Sequence, residues 1–334
     1  MSLYTQFDRS RISLHALAKR RNDLAISECL PLDAPIPPFD HAEFAQLVTA
    51  IQEARQRNRP VIWMIGAHVI KQGLSRFVVD LIERGWISHI ATNGAGIIHD
   101  YELAYQGGTS EDVGRYIKQG DFGMWADTGR INDIVREAVA RGEGFGEGVG
   151  RVIEEEQLPH RELSICSAGW RCRVPVTTHV GIGCDIIHQH ANCDGAALGA
   201  ASYTDFLIFT QSVSQLEGGV YLNIGSAVTG PEVYLKALSM ARNVARQEGR
   251  EISRFTTGVF DLVPLPEDCR SGTAPKTHPQ YYYRPWKTIL VRTVADGGRS
   301  FYFCGDHRVT IPNLHRALVS TARDRASPPQ SFAA

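Results

Sequence analysis

A dense run of polar side chains, THVGIGCDIIHQHANCDG, spans residues 178–195. The members of types that bind metals or transfer protons are His179, Cys184, Asp185, His188, His190, Cys193 and Asp194. One interpretation is a zinc site, although His188 and His190 share a face only if the segment is extended. A second is a set of satisfied structural histidines and buried thiols. The third, preferred here, is a substrate or nicotinamide pocket that uses Asp185 and one histidine.

Two glycine-bearing turns follow apolar runs that are typical of strands. They are TNGAG at 92–96 and NIGSAVTG at 223–230. Backbone N–H groups in such turns can bind a phosphate, although neither turn has the GxGxxG spacing of the dinucleotide fingerprint. Ordinary strand-to-helix geometry is the alternative for each turn taken alone. Their occurrence together favours a bound dinucleotide.

Lys287 and Asp306 are two further candidates. Lys287 lies in YYYRPWKTI, where aromatic rings that exclude water favour the neutral, nucleophilic amine. The alternative for this lysine is a surface cation packed on a ring. Asp306 follows an apolar run in FYFCGDHR, where a carboxylate accepts ribose hydroxyls or caps the next helix.

The segments that must position these residues alternate between helical and strand patterns. HAEFAQLVTAIQEARQRN has apolar residues at helical spacing and leads into VIWMIG, and GLSRFVVDLIERG leads likewise into ISHIATNGAG. Further strands are predicted at VPVTTHVGIG, DFLIFTQSV, GGVYLNIG, RFTTGVFDL, KTILVRTV and RSFYFCGD. This alternation predicts an α/β fold with a mainly parallel sheet that helices cover on both faces.

Composition narrows the classes of partner. The 334 residues carry 35 basic and 36 acidic side chains, so the protein has almost no net charge to attract nucleic acid or an anionic membrane. The expected partner is therefore a small molecule or a protein. Seven cysteines without a CxxC pair indicate a reducing cytoplasm. We expect neither export nor membrane insertion, because no apolar run reaches the length of a signal peptide core or a membrane span.

The chain divides into three predicted parts. Residues 1–39 are polar and then proline-rich, a composition that favours an N-terminal arm over a core element. Residues 40–324 form the predicted nucleotide-binding domain, and residues 325–334 form a flexible tail.

In this order the segments resemble the deoxyhypusine synthase family over about residues 40–320. VIWMIGAHVIKQG resembles that family's first strand and loop, and HIATNGAGIIHD resembles its glycine turn. VPVTTHVGIGCDIIHQH resembles a strand and loop of the family that carry two aspartates, and Asp185 matches the second of these. LNIGSAVTGPEV is similar to its triple-glycine turn, with Gly225 retained. FTTGVFDL resembles its threonine and phenylalanine-aspartate segment, and PWKTI with FYFCGDHRV its tryptophan, catalytic lysine and terminal aspartate.

The resemblance implies a Rossmann-like, doubly wound sheet, bound NAD, and a homotetramer with sites at subunit interfaces. It also implies an NAD-dependent transferase or oxidoreductase that acts on a small amine or polyamine and passes an aminoalkyl fragment through a lysine imine. The predicted catalytic residues are Lys287, Asp185 and His179. The predicted cofactor contacts are His68, Thr92, Asn93, Gly94, Gly96, Gly225, Ser226, Thr256 and Asp306. The predicted substrate contacts are Asp261, Trp286, Glu232 and His190, and no metal ligands are predicted.

The chain differs from the family at several substrate positions. Val180 replaces the first loop aspartate, Tyr282 replaces an acidic residue, and Lys287 follows Trp286 without the family's intervening glycine. We therefore expect spermidine to bind weakly, because burying an ammonium group without a carboxylate is costly. The alternatives are a homospermidine-synthase-like activity with a free diamine as acceptor, a zinc-dependent hydrolase, and a dinucleotide-binding protein without turnover.

Overall fold

The computed structural model describes residues 3–322. Its strands are β1 (Asn22–Ala25), β2 (Val61–Ile65), β3 (His89–Asn93), β4 (Gly108–Glu111), β5 (Val176–His179), β6 (Val220–Ile224), β7 (Thr256–Asp261) and β8 (Arg299–Cys304). Its α-helices are α1 (Phe44–Gln56), α2 (His68–Lys71), α3 (Ser75–Glu83), α4 (Gly94–Gln106), α5 (Val113–Tyr116), α6 (Arg130–Arg141), α7 (Phe145–Glu155), α8 (Ile165–Cys172), α9 (Gly195–Ser214), α10 (Thr229–Gln247) and α11 (His307–Ala322). A π-helix, Pro285–Val291, and a 3₁₀-helix, Arg292–Val294, lie between β7 and β8.

Six strands form one parallel sheet in the order β5-β3-β2-β6-β7-β8. Within this sheet the chain forms β2 first, then β3 and β5 on one side of it, and then β6, β7 and β8 on the other side. The predicted doubly wound, Rossmann-like α/β fold is therefore confirmed. In such a sheet ligands bind beyond the carboxyl ends of the strands where the winding reverses, which here is the junction of β2 and β6.

Alternate side chains of β2 enter two hydrophobic layers, because successive residues of a strand point to opposite faces. Trp63 and Ile65 pack in the layer that includes Leu47 of α1, Phe77 of α3 and Leu314 of α11. On the opposite face the layer contains Ile62 and Met64 together with side chains of α9, α10 and the π-helix, namely Phe209, Leu238 and Ile289. Burial of both faces accounts for the continuous apolar run VIWMI.

The segment before residue 40 packs on this domain. β1 pairs antiparallel with β4, and the buried Arg20 guanidinium donates to both carboxylate oxygens of Glu102 in α4, at 2.9 and 2.6 Å. The hydroxyls of Thr109 and Thr128 also donate to Glu102. The division at residue 39 stays a prediction, and the predicted tail at 325–334 lies outside the described residues.

Two strand predictions are wrong. DFLIFTQSV lies inside α9, where Asp205, Phe209 and Val213 recur every four residues on its buried side. KTILVRTV forms the π-helix and the 3₁₀-helix, whose Ile289 carbonyl accepts a hydrogen bond from the Thr257 hydroxyl of β7. In sequence, a short apolar run looks the same whether it forms a buried strand or a buried helix. The surfaces that the two segments pack against therefore determined that both are helical. Between residues 3 and 322, no helix combines the length and apolar content required to cross a membrane.

Candidate functional site

The turns after β2 and β6 meet at the reversal point of the sheet. The Gly66 amide donates to the carbonyl oxygen of Ile224 at 2.8 Å, and a Cβ atom at position 66 would overlap the carbonyl oxygen of Gly225. Gly225 itself has φ of +62°, a conformation that strongly favours glycine. Both positions therefore need glycine, because the carbonyl of Gly225 and the ring of His307 occupy the space that a Cβ atom would need.

The turn after β3 begins α4 directly. The side-chain oxygen of Asn93 accepts a hydrogen bond from the Gly96 amide at 2.9 Å and so caps the helix. Gly96 packs against the Thr92 side chain, and Gly94 packs against the Asp185 carboxylate with no space for a Cβ atom. The predicted glycine turn thus holds Asp185 at the start of α4.

Asp185 is buried at this helix end. Burial raises the pKa of its carboxyl group to about 6, while a hydrogen bond from the Ala95 backbone lowers it in part. One carboxylate oxygen, Oδ2, is buried without a hydrogen-bond partner among the described residues. A carboxyl group that titrates near neutral pH at the ligand-facing end of a sheet is suited to proton transfer.

His188 lies next to Asp185. Its Nδ1 atom accepts hydrogen bonds from the amides of Gly183 at 3.1 Å and Asp185 at 3.2 Å, so the proton of the neutral ring is on Nε2. Nε2 lies 3.8 Å from Asp185 Oδ2. His188 and Gln189 also line a cavity of about 750 Å³ whose other walls include Arg9, His15 and Asp121. The N-terminal segment therefore borders the space beside this pair.

The turn after β6 uses its polar side chains internally. The Ser226 hydroxyl accepts a hydrogen bond from the Gly230 amide at 2.9 Å, and the Asn223 amide group donates to the Ser226 carbonyl at 2.9 Å. These bonds fix the path from Gly225 into α10. Ser226 thus shapes the predicted cofactor turn, while the backbone at Gly225 borders the ligand side.

His68 and His307 face one another beside Gly225. Their ring centroids are 5.5 Å apart in an edge-to-face arrangement. Asp306, predicted to bind a ribose or to cap a helix, caps α11 by accepting from the Arg308 amide at 2.8 Å. Sequence reasoning missed His307. The motif GDH offered a signal, because the residue after a capping aspartate starts the helix at the same sheet edge.

The end of β7 carries the next predicted residue. Asp261 accepts a hydrogen bond from the Leu262 amide at 2.7 Å, and its backbone carbonyl accepts from Gly305 at 3.0 Å. Burial and the nearby Asp261 carboxylate raise the pKa of Tyr283 above its ordinary value. Asp261 therefore lies at the carboxyl end of β7, beside a tyrosine that stays protonated, and its assignment as a substrate contact stays a prediction.

Lys287 is buried in the π-helix. Its Nζ atom lies 3.8 Å from the centre of the Tyr281 ring and 5.9 Å from that of Tyr282. Glu232, in the first turn of α10, forms ion pairs with Arg284 and Lys236 rather than with Lys287. The predicted aromatic surroundings of Lys287 are therefore present in the structure, without a carboxylate partner among the residues of 3–322.

Lys287 and Asp185 lie at different parts of the sheet. Asp185 contacts the turn after β3, whereas the π-helix that carries Lys287 packs against β7 and β8. β3 and β7 are three strand positions apart, which is about 14 Å at the usual spacing of neighbouring strands. Within this chain the structure therefore does not bring these two predicted catalytic residues together.

Four other predicted residues have structural roles. Thr256 begins β7 and lies at the opposite end of that strand from the glycine turns, and its assignment as a cofactor contact stays a prediction. Burial lowers the pKa of His179 to about 3, and the ring packs on Phe209. His190 is fully buried and pairs with the Gly123 carbonyl at 2.7 Å. Trp286 donates to the Gly272 carbonyl at 3.0 Å.

The histidines considered as zinc ligands contact different parts of the structure. His179 lies under α9, His188 turns toward Asp185, and His190 bonds to the loop at Gly123. Across residues 3–322, no three His, Cys, Asp or Glu side chains are arranged to hold a metal ion. The donor set for a hydrolytic zinc site is therefore not assembled.

The residues at the reversal point fit a dinucleotide. Gly66 and Gly225 provide a close backbone approach, the turns at Asn93 and Ser226 lead into long helices, and Asp261 offers an acceptor at the neighbouring strand end. Buried polar atoms without partners among the described residues include Thr92 Oγ1 and His307 Nδ1. Unused acceptors and helix starts at one sheet edge are what ribose and phosphate groups require.

Comparison with solved structures supports the fold. The chain resembles ArgZ, an arginine dihydrolase of the ornithine-ammonia cycle in cyanobacteria, at 13% identity and a TM-score of 0.51, over 84% of this chain and 33% of that one. It resembles a conserved putative LOR/SDH protein from Methanococcus maripaludis S2 at 14% identity and a TM-score of 0.51, over 87% of this chain and 74% of that one. AgrE, solved with ornithine and NAD+, is 13% identical to this chain with a TM-score of 0.50, over 83% of this chain and 32% of AgrE. This chain thus spans about a third of ArgZ and AgrE.

A putative deoxyhypusine synthase from Entamoeba histolytica is 8% identical to this chain with a TM-score of 0.43, over 84% of this chain and 88% of that one. No family model and no curated protein sequence matches the chain. The likenesses to ArgZ, to the LOR/SDH protein and to AgrE show a shared fold, and the resemblance to deoxyhypusine synthase stays a hypothesis about descent and chemistry.

Proposed function

We propose that the chain is an NAD-dependent enzyme that acts on a small amine. The observation that carries this proposal is the meeting of Gly66 and Gly225 at the reversal point, flanked by the turns into α4 and α10. A dinucleotide laid across this crevice contacts both halves of the sheet. The complex of AgrE with ornithine and NAD+, on a similar fold, supports the choice of cofactor and of an amine substrate.

NAD, when bound, supplies a hydride acceptor for the carbon next to the substrate nitrogen. In this proposal Asp185 takes the proton of the substrate amine, because its carboxyl pKa of about 6 leaves it mostly ionised at pH 7. His188 Nε2 lies 3.8 Å from Oδ2 of this carboxylate. These two residues form one part of the proposed site.

Lys287 of a second copy of the chain forms the other part, because Lys287 and Asp185 of one chain lie at different parts of the sheet. In the finer form of the proposal, hydride loss from a secondary amine gives an imine, and the Lys287 amine adds to the imine carbon. The bond from that carbon to the original nitrogen then breaks, the freed amine takes up a proton, and the alkyl fragment stays on Lys287 as an imine. A protein lysine or a free diamine is the proposed acceptor, the second corresponding to a homospermidine-synthase-like activity.

Two measurements test the proposal. Calorimetric titration with NAD should give saturable heat, and NADH absorbance should rise when spermidine, putrescine or ornithine is added to the complex. Neither heat nor a thermal shift at millimolar NAD would contradict the cofactor, because a ligand at many times its Kd stabilises a protein by a few kcal/mol. NAD binding without NADH formation from these amines would favour a dinucleotide-binding protein without turnover.

A further inference from the structure

A second cavity lies beside β5, the edge strand of the six-stranded sheet. Its volume is about 660 Å³, which is within the range of small-molecule sites. Its lining comes from α7, α8, α9 and residues 174–177, which lead into β5 and begin it. The start of β5 lies at the opposite edge of the sheet from the carboxyl ends of the strands. The cavity is therefore separate from the proposed dinucleotide site.

Part of this lining is apolar. It includes Trp170 of α8, Val174 and Val176 before and in β5, and Ile208 of α9. The Trp170 side chain is 39% exposed, although most large apolar side chains of the protein are buried. An accessible indole at the wall of a cavity offers a large, rigid surface to an apolar or aromatic group of a ligand.

Most polar groups of the lining already have partners. The Arg171 guanidinium donates to Glu154 Oε1 at 2.7 Å. Asp205 Oδ2 accepts hydrogen bonds from the amides of Thr178 at 2.7 Å and Gly146 at 3.1 Å. Burial raises the pKa of Asp205 to about 8, so its carboxyl group is mostly protonated at pH 7. These groups therefore leave little charge for a ligand to neutralise.

Two opposite charges of the lining remain. Glu147 in α7 and Arg173 after α8 both border the cavity, and neither forms an ion pair with any residue of 3–322. Burial and the neighbouring Glu143 carboxylate raise the pKa of Glu147. A bound cation would offset this repulsion. The cavity thus presents one carboxylate and one guanidinium that do not pair with each other.

Arg173 has an unusual backbone conformation. It ends α8 with φ of +54° and ψ of +36°, in the left-handed region. Glycine is the usual residue at this position of a helix end, because a side chain there adds strain. Strained positions with a side chain cluster at ligand sites. An arginine at this position, with its guanidinium unpaired beside a cavity, therefore supports a role in binding.

We propose that this cavity binds an α-amino acid with an apolar or aromatic side chain. The ligand carboxylate pairs with the Arg173 guanidinium, its ammonium group pairs with the Glu147 carboxylate, and its side chain lies against Trp170 and Ile208. A zwitterion suits the site because it supplies a partner of opposite sign to each unpaired group. The inference goes beyond the proposed function and does not depend on it.

Three ligands with the same aromatic group test the two charge contacts separately. L-phenylalanine carries both charges, hydrocinnamate lacks the ammonium group, and phenethylamine lacks the carboxylate. In calorimetric titrations of the full chain, L-phenylalanine should bind about tenfold more tightly than either analogue, the size of one charged hydrogen bond. Absence of saturable heat with L-phenylalanine, or equal affinity for the three ligands, would overturn the inference.

Two substitutions assign the contacts. Arg173→Gln should weaken L-phenylalanine about tenfold and leave phenethylamine unchanged, whereas Glu147→Gln should weaken L-phenylalanine and leave hydrocinnamate unchanged. Arg299→Gln is the matched control and should bind L-phenylalanine as the wild type does. Arg299 is exposed, forms no ion pair within the described part of the chain, and lies on β8 at the other edge of the sheet.

An affinity of Arg173→Gln for L-phenylalanine within twofold of the wild type would overturn the assignment of the carboxylate contact. A loss in Arg299→Gln as large as that in Arg173→Gln would overturn it too, because the effect would then reflect overall charge. Thermal unfolding of each variant without ligand serves as the control for folding. Failure of the wild type to bind NAD would contradict the proposed function alone.

Discussion

Gly66 lies against the carbonyl oxygen of Gly225 at a separation that leaves no room for a Cβ atom. This contact joins the two halves of the sheet at the junction where the winding reverses. Gly66→Ala must therefore push β2 and β6 apart. The affected contact is backbone to backbone, which a rotamer change cannot relieve.

We expect Gly66→Ala to destabilise the protein by about 1–3 kcal/mol, the usual cost of overpacking. Gly199→Ala is the control: Gly199 lies inside α9 with open space around it, so a methyl group should stabilise by about 0.5–1 kcal/mol. Urea unfolding of both variants checks the contrast. Equal stability of Gly66→Ala and the wild type would show that the junction tolerates a wider gap.

Asp185→Asn should stabilise the protein in a pH-dependent way. Burial raises the pKa of Asp185 from 3.8 in the unfolded chain to about 6 in the folded protein, so folding favours the protonated form. Stability is therefore lost as pH rises from 3.8 to 6, by up to about 3 kcal/mol. Asparagine is free of this loss. Unfolding should show the variant gaining over the wild type at pH 8 and little gain at pH 4.

A smaller stability for Asp185→Asn at pH 8 would contradict that expectation. It would mean that the amino end of α4 stabilises the ionised carboxylate by more than burial destabilises it.

Arg20→Met should cost about 3–5 kcal/mol, because it leaves the Glu102 carboxylate buried without its cation. Arg57→Ala is the matched control, since Arg57 pairs with Glu53 at 3.8 Å on the exposed side of α1 and such pairs contribute below about 1 kcal/mol. Denaturant unfolding measures both. A loss for Arg20→Met as small as that for Arg57→Ala would show that the Arg20–Glu102 ion pair contributes little to stability.

Lys287→Arg and Lys287→Ala should both lose turnover if the alkyl fragment passes through a lysine imine. Arginine keeps the positive charge near Tyr281 but cannot form the imine. Borohydride added during turnover should trap a covalent adduct in the wild type and in neither variant, which mass spectrometry detects. Retention of most activity by Lys287→Arg would exclude covalent catalysis at this position.

Self-association should use the outer face of α9. Tyr203 and Leu207 are exposed one turn apart on this helix, whose single charged residue, Asp205, is buried. An uncharged, apolar helix face favours contact with another subunit. Light scattering should give a tetramer, or at least a dimer, that Leu207→Glu weakens. Ile117→Glu, at an exposed site on the short helical segment after α5, is the control and should leave the mass unchanged.

The sequence alone determined the elements whose local pattern has a single explanation. The runs VIWMI and VYLNI are β2 and β6, the turns after them contain the required glycines, and the periodic stretch at 44–56 is α1. Asp185 was also identified from sequence, because a carboxylate among histidines after a strand is unusual. These features depend on residues close together in the chain, which is why they could be predicted.

Only the tertiary structure decided what depends on distant residues. It placed DFLIFTQSV in α9 rather than in a strand, because the outcome for an apolar run depends on the surface it packs against. It put Thr256 at the far end of β7 and His307 under Gly225, since strand order and direction bring together turns more than 80 residues apart. The order of the strands cannot be predicted from local composition. The topology of the sheet therefore decided which polar groups meet at the β2–β6 junction.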